Sequence, residues 1–416
     1  MRWTVLVLLF FGMIVNFADK SIIGLAAKPI MEDLNLSYAE WGIVGSAYYW
    51  LYPITGIFGA AWADKIGAKK VLSFLMLTWA VLQFGVIAIT ALPLLIVYRI
   101  LLGAFEGPFS PVAYSHADRW FPPKLKGFAN SVLVSGATVG AMVVAPLLVA
   151  MIVAWGWKVA FAALGGVSII WFFLFMFLTK ESPVEAYEKV KKKKKLEKFT
   201  LKDLKHIATS KVALFTTLAY FSTYFIVVWI ATWLPLYLVD VIGMSTGQMG
   251  FAVAAIGIVS VAIYMGVSVI SDYLFKKTKD WKLSRVYVTG LSMLLGAACM
   301  LSVVVYQNPI WVIIAMCLAK GLTYAILPIG PTIMINELPE RGGLMTSILT
   351  SSGNLAGIVA PLATGFVVNL ASTKLLGYNL SIGAMAILVL VFSLLFLLVV
   401  RPKTTENTSE LSEEAS

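Results

Sequence analysis

The sequence predicts an all-α membrane protein with about twelve membrane-spanning helices in two six-helix bundles, and three observations carry that prediction. The residues are 60% hydrophobic and 13% charged, with a mean hydropathy of +0.89. With 13 Trp and 24 Phe, this is more apolar surface than the core of a soluble chain of 416 residues can hide. Apolar runs of about 20 residues, each long enough as a helix to cross a hydrocarbon core of about 30 Å, recur from one end to the other. Basic residues collect in alternate connections between the runs, the pattern of loops retained on the cytoplasmic side.

In the first half the runs fall at 4–27, 41–63, 71–91, 94–114, 127–153 and 159–178. The first is interrupted by Asp19 and Lys20 and the fourth by Arg99 and Glu106. In the second half they fall at 211–239, 248–271, 285–306, 309–335, 343–370 and 378–400, with Lys320 the strong base near the middle of the tenth. Between them the composition turns polar, with the unbroken run Lys191–Lys195. The expected organisation is therefore an N-terminal bundle at 1–178, a cytoplasmic Lys-rich linker at 179–210, a C-terminal bundle at 211–400 and a cytoplasmic tail at 401–416.

Net charge is +11, which on a soluble domain would raise the question of nucleic acid. Here the positive charge sits at Lys65, Lys69 and Lys70, at Arg119, Lys124 and Lys126, in the linker, and at Lys276, Lys277, Lys279 and Lys282, all on one predicted side. Both termini are expected on that cytoplasmic side, in a plasma membrane, with no nucleic-acid partner. The connection at 336–342 dissents, with Glu337 and Glu340 against Arg341. The first span is expected to serve for targeting without cleavage near Ala26. Cys299 and Cys317 sit at membrane depth and read as small core residues without metal or redox spacing. No metal or other cofactor is expected, and the chain is expected to work as a monomer among membrane lipids.

The halves echo each other. Pro123, Gly127 and Ser131 recur at the same spacing as Pro339, Gly343 and Ser347, and Ala145-Pro146 answers Ala360-Pro361. Asp64 and Asp272 each close a span ahead of lysines. A six-span unit used twice in parallel is the frame of transporters whose halves rock about a central site. Gly136, Gly140, Gly353 and Gly357 would permit close helix contact between such halves.

Charges at bilayer depth need a reason, since each costs roughly 2.5–3.5 kcal/mol on insertion scales. Seven residues separate Arg99 from Glu106, so both project from one helix face about 10 Å apart. Asp19 and Lys20 lie in the outer half of the first span and Glu106 near mid-membrane. A carboxyl held there away from water can carry a proton, whereas Arg99 stays positive. The alternative is a salt-bridge network that only staples the first and fourth spans. Tyr48 and Tyr52, one turn apart, either hydrogen-bond a polyol or anchor the span at the interface. Lys320 either completes a cationic site for a second anionic group or snorkels.

The loop Ala60-Ala61-Trp62-Ala63-Asp64-Lys65-Ile66-Gly67-Ala68-Lys69-Lys70 resembles the inside-loop signature of the major facilitator superfamily, Gly-x-Leu-Ala-Asp-Arg-x-Gly-Arg-Lys. Asp64, Gly67 and Lys69 match, while Ala60, Lys65 and Ala68 replace the first Gly and the two Arg. The resemblance implies the major facilitator fold, with Asp64, Lys65, Gly67 and Lys69 acting in gating. Asn16-Phe17-Ala18-Asp19-Lys20-Ser21, Arg99-x-x-x-Gly103-x-x-Glu106-Gly107, Trp155-Gly156-Trp157-Lys158, Trp233-Leu234-Pro235 and Ser351-Ser352-Gly353-Asn354 together resemble the anion:cation symporter family. That resemblance implies proton coupling at Asp19 and Glu106, and anion binding at Lys20 and Arg99. It also implies substrate contacts at Tyr52 and Asn354. Lys20 stands where many family members have Arg, and so lacks the planar fork that grips a carboxylate in two places.

The expected function is proton-coupled symport of a small organic anion, a sugar acid or other carboxylate. Exchange, uniport or a non-transporting sensor are the alternatives. A drug exporter is disfavoured because Pro146 lacks the Gly-Pro-x-x-Gly surroundings, and a phosphate exchanger because the seventh span has no interior Arg or Lys. An enzyme is disfavoured by only 2 His and by the lack of His/Cys metal spacing or a nucleophile elbow, and primary ATP-driven transport by the lack of a nucleotide-binding loop.

Overall fold

The computed structural model describes residues 1–181 and 209–401. The lysine run and most of the linker and tail lie outside the described residues. In chain order the helices of the first half are α1 Arg2–Leu25, α2 Ala27–Asp33, α3 Tyr38–Ala47, α4 Tyr52–Ile66, α5 Ala68–Gly85, α6 Leu92–Glu106, α7 Phe109–Trp120, α8 Pro123–Thr138, α9 Ala145–Trp155 and α10 Trp157–Leu178. The second half holds α11 Lys211–Thr232, α12 Leu234–Asp240, α13 Thr246–Thr278, α14 Val288–Val305, α15 Pro309–Thr323, α16 Ile326–Glu337, α17 Gly342–Leu370 and α18 Lys374–Val399. No strand occurs among the described residues.

Eleven helical stretches among the described residues are long and apolar enough to cross a membrane. The remaining expected span, 41–63, is there but broken into α3 and α4 by a turn at 48–51. Pro53 sits in the first turn of α4, where its missing N–H costs nothing. Ser37 and Glu40 form a capping box that fixes the start of α3. The span carrying Pro146 passes through a π-turn at Val139–Val143, and Pro331 lies inside α16.

The chain forms two compact units. One comprises the described residues to 181 with Ile230–Gly257 and Pro361–Asn369, and the other the remainder. The first unit is closed by glycines. Gly24 lies beneath the Ala231 carbonyl, Gly42 beneath that of Pro361 and Gly365 beneath that of Tyr38, so a Cβ at any of them would strike backbone. Lys28 pairs with Asp240 at 2.8 Å, and the Tyr38 hydroxyl donates to the same carboxylate at 2.6 Å. Three of the four glycines expected to join the two halves, Gly136, Gly140 and Gly353, pack inside single units. Gly136 and Gly140 seat α8 against Phe10 and Ile14 of α1, and Gly353 seats α17 against the Tyr224 ring of α11. A small-residue stripe marks a close approach, but its partner is set by topology.

Candidate functional site

The break between α3 and α4 builds the site. A helix end leaves carbonyls without intrahelical donors and carries partial negative charge. Arg99 of α6 answers the end of α3, its Nε donating to the Val44 carbonyl at 3.3 Å. Its guanidinium lies over the Tyr48 ring, 4.6 Å from the centroid. One and two turns on, Gly103 and Gly107 let α6 close onto the break, where a Cβ would overlap the carbonyls of Tyr48 and Tyr52 respectively. That approach brings Glu106 to Tyr48, whose hydroxyl donates to Oε2 at 2.6 Å. The spacing Arg-x-x-x-Gly-x-x-Glu-Gly is thus the footprint of one helix face pressed on a broken neighbour.

Tyr48 therefore joins Arg99 to Glu106, with all three buried. Tyr52 follows on the same side, its ring 5.3 Å from that of Tyr48. Lys20 of α1 donates to the Tyr52 hydroxyl at 3.1 Å, and its ammonium lies 4.3 Å from the Phe17 ring and 5.0 Å from the Tyr52 ring. The bases are held by aromatic groups, each such contact contributing roughly 0.5–2 kcal/mol. No ion pair joins Lys20 or Arg99 to Asp19 or Glu106 among the described residues, so the salt-bridge staple, the alternative reading of these charges, does not form there and a tyrosine bridge stands in its place.

Asp19 is fully enclosed, and neither carboxylate oxygen has a hydrogen-bond partner among the described residues. Around it lie Glu106, Gln83 and Lys20. Gln83 of α5 is equally enclosed; its Oε1 accepts from the Tyr98 hydroxyl at 2.8 Å, leaving Nε2 undonated. Asn16, a turn before Asp19, is also buried with both amide atoms unpaired. Sequence reasoning misses Gln83 and Tyr98 and holds Asn16 only as part of the Asn16–Ser21 motif, without a role. A carboxamide inside an apolar run is the signal that marks Gln83 and Asn16, whereas nothing distinguishes Tyr98 from an interface aromatic.

At the other end of the first unit, Asp64 receives Arg119 at 2.7 Å. Gly67 joins α4 to α5 at φ +103°, a backbone region that favours glycine. The Lys69 backbone N–H donates to Glu181 at 3.0 Å, while its ammonium donates to the Met176 and Thr179 carbonyls at 2.7 and 2.6 Å, closing the end of α10. Lys65 is exposed beside this cluster. Arg119 had been read only as a topology charge, and Glu181 not at all. His116 of α7 has Nδ1 3.7 Å from Glu181.

Lys320 and Asn354 belong to the second unit. Lys320 is buried in α15 with its ammonium 5.4 Å from the Tyr324 ring, and Asn354 is half-buried in α17. No cluster of His, Cys, Asp and Glu able to hold a metal occurs among the described residues.

Residues 9–339 match the family model of the Major Facilitator Superfamily. The chain is 30% identical over 379 residues to a hexuronate transporter of Bacillus subtilis, covering 89% of this chain and 88% of the relative. It is 28% identical over 397 residues to a probable galactarate/D-glucarate transporter of Escherichia coli, covering 88% of each. Among solved structures, a bacterial homologue of the human lysosomal transporter Spinster superposes with a TM-score of 0.82 at 18% identity, covering 97% of both chains.

Proposed function

Because the chain belongs to the Major Facilitator Superfamily and to its anion:cation symporter type, we propose that it is a secondary transporter carrying an organic anion, a sugar acid or related carboxylate, together with protons by alternating access. The observation that carries this reading is the pair of cations resting on tyrosine faces beside two enclosed carboxyls that do not neutralise them. Cations held this way keep their charge for an incoming carboxylate. Arg99 offers Nη1, which has no partner among the described residues, and Lys20 offers its ammonium.

In this mechanism Asp19 and Glu106 take up and release the coupled proton. Tyr48 holds Glu106 in place while its ring carries Arg99, so a change at the carboxyl is felt at the anion site through one side chain. Tyr52 positions Lys20 and is itself within reach of a substrate hydroxyl. Asn354 and Lys320 are the further proposed substrate contacts, Lys320 suiting a second anionic group. Asp64, Lys65, Gly67 and Lys69 serve the gate, with the Asp64–Arg119 pair as the contact that opens and reforms. The protein acts as a monomer in the plasma membrane with both termini on the cytoplasmic side.

Uptake of labelled uronates and aldarates into proteoliposomes, with an inward proton gradient imposed or collapsed by an ionophore, tests the proposal. Accumulation that disappears with the gradient is expected. Counterflow indifferent to the gradient would replace symport by exchange or uniport and remove the coupling role from Asp19 and Glu106.

A further inference from the structure

A groove of about 790 Å³ runs between α5 and the end of α10 on the first unit. Its walls are Phe74 and Leu77 of α5 with Phe172 and Met176 of α10, and its mouth carries Lys69, Lys70 and Lys180. Phe74, Leu77 and Met176 are exposed, the orientation of side chains that face acyl chains when the protein is in a bilayer. A second apolar groove of about 390 Å³ shares Phe74 and has Lys65 at its rim. None of this surface is used by the substrate site.

The lysines at the mouth differ in what they hold. Lys69 is committed to the carbonyls of Met176 and Thr179, and Glu181 accepts the Lys69 backbone N–H. Lys70 and Lys180 have no hydrogen-bond or ion-pair partner among the described residues. Two ammonium groups thus stand over an apolar trough with the neighbouring carboxylate already engaged. A soluble anion would satisfy the lysines and leave the trough bare. A zwitterionic lipid would bring an ammonium of its own to lysines.

We propose that this groove binds an anionic phospholipid of the leaflet on the side of the lysine-bearing loops, its phosphodiester between Lys70 and Lys180 and an acyl chain along Phe74, Leu77, Phe172 and Met176. The second groove across Phe74 accepts the other chain. Occupancy pins the end of α10 to α5 beside Lys69. The site is independent of the transported substrate.

The test is mass spectrometry of the intact full-length protein titrated with phosphatidylglycerol or with phosphatidylcholine of the same acyl composition. Phosphatidylglycerol is expected to bind at least about fivefold more tightly. Lys70→Gln/Lys180→Gln should lower phosphatidylglycerol affinity by about tenfold while leaving phosphatidylcholine unchanged. Lys276→Gln/Lys277→Gln, lysines of the second unit, should leave the preference intact. Equal affinity for the two lipids, or the same loss from either pair of variants, would overturn the site. Displacement of the lipid by millimolar inorganic phosphate would assign the lysines to a soluble anion and overturn it too. Circular dichroism melting of each variant establishes that it is folded, and Lys70→Arg/Lys180→Arg should restore binding.

Discussion

The two units enclose polar groups of different kinds. Among the described residues, the first buries Asp19, Glu106, Arg99, Gln83, Asn16 and His116, whereas the second, apart from Lys320 and Glu337, buries only hydroxyls. Several of those hydroxyls are satisfied by their own helix: Ser222 donates to the Ala219 carbonyl, Ser292 to Thr289, Thr323 to Ala319 and Ser381 to Gly377. A carboxylate or guanidinium has no such local remedy and needs a partner from a neighbouring helix. The first unit therefore holds its charges with tyrosines and a broken helix end. The buried ionisable groups of the described residues are concentrated in the first unit.

The largest test of that asymmetry is Glu106→Gln, which keeps the shape at Tyr48 and removes the ionisable group. Gradient-driven accumulation should fall by at least about tenfold while counterflow persists, measured in the same vesicles. Full accumulation in this variant would place coupling elsewhere. Next come the two echoing aspartates. Asp64 takes its partner 55 residues on in α7, whereas Asp272 takes Arg285 only 13 residues on, and their side chains are 30% and 70% exposed. Asp64→Asn should slow transport by about tenfold, and Asp272→Asn by no more than about twofold. Equal effects would make the two latches equivalent. Third, Lys320→Met should weaken an aldarate by about tenfold, about 1.4 kcal/mol, and a uronate hardly at all. Equal loss for both would make Lys320 structural.

Much of this was legible in the sequence, for physical reasons that differ by feature. The spans follow from composition alone, because an apolar run in lipid must satisfy its backbone as a helix. The charged residues stood out because their cost at depth is high. Their partners did not, since Arg99 finds the Val44 carbonyl only because the helix breaks at 48–51, and Pro53 in an apolar run does not by itself distinguish a kink from a break. Tyr48 was read as one wall tyrosine among two. Its bridging position depends on Gly103 and Gly107 admitting α6, a relation between elements remote in sequence.

A charge pair at the rim of the first unit separates depth from unit as the cause of these effects. Lys28 is 42% exposed on its side chain, and its hydrogen bond to Asp240 raises its pKa above the usual lysine value. A raised lysine contributes fully below its unfolded pKa of about 10.4 and loses that contribution as pH rises through the folded value. Lys28→Met should therefore cost about 0.5 kcal/mol at neutral pH, with the gap to the parent protein closing on the alkaline side above about pH 10.4 in thermal melts. A gap that stayed open there would assign the effect to another group.

The smallest effect probes the frame where the units agree. Ser131 donates to the Gly127 carbonyl at 2.9 Å and Ser347 to the Gly343 carbonyl at 2.7 Å, the same four-residue step at matching places in the repeat. Both serines are exposed, and a hydroxyl bonded back to its own helix adds little where the freed carbonyl keeps its backbone donor. Ser131→Ala and Ser347→Ala should each shift stability by no more than about 0.5 kcal/mol, in the same direction. If the scaffolds are equivalent and only their buried charges differ, these two variants must behave alike. A disparity above about 1 kcal/mol between the serines would mean that the scaffolds themselves differ, and that the asymmetry extends beyond the charges it was drawn from.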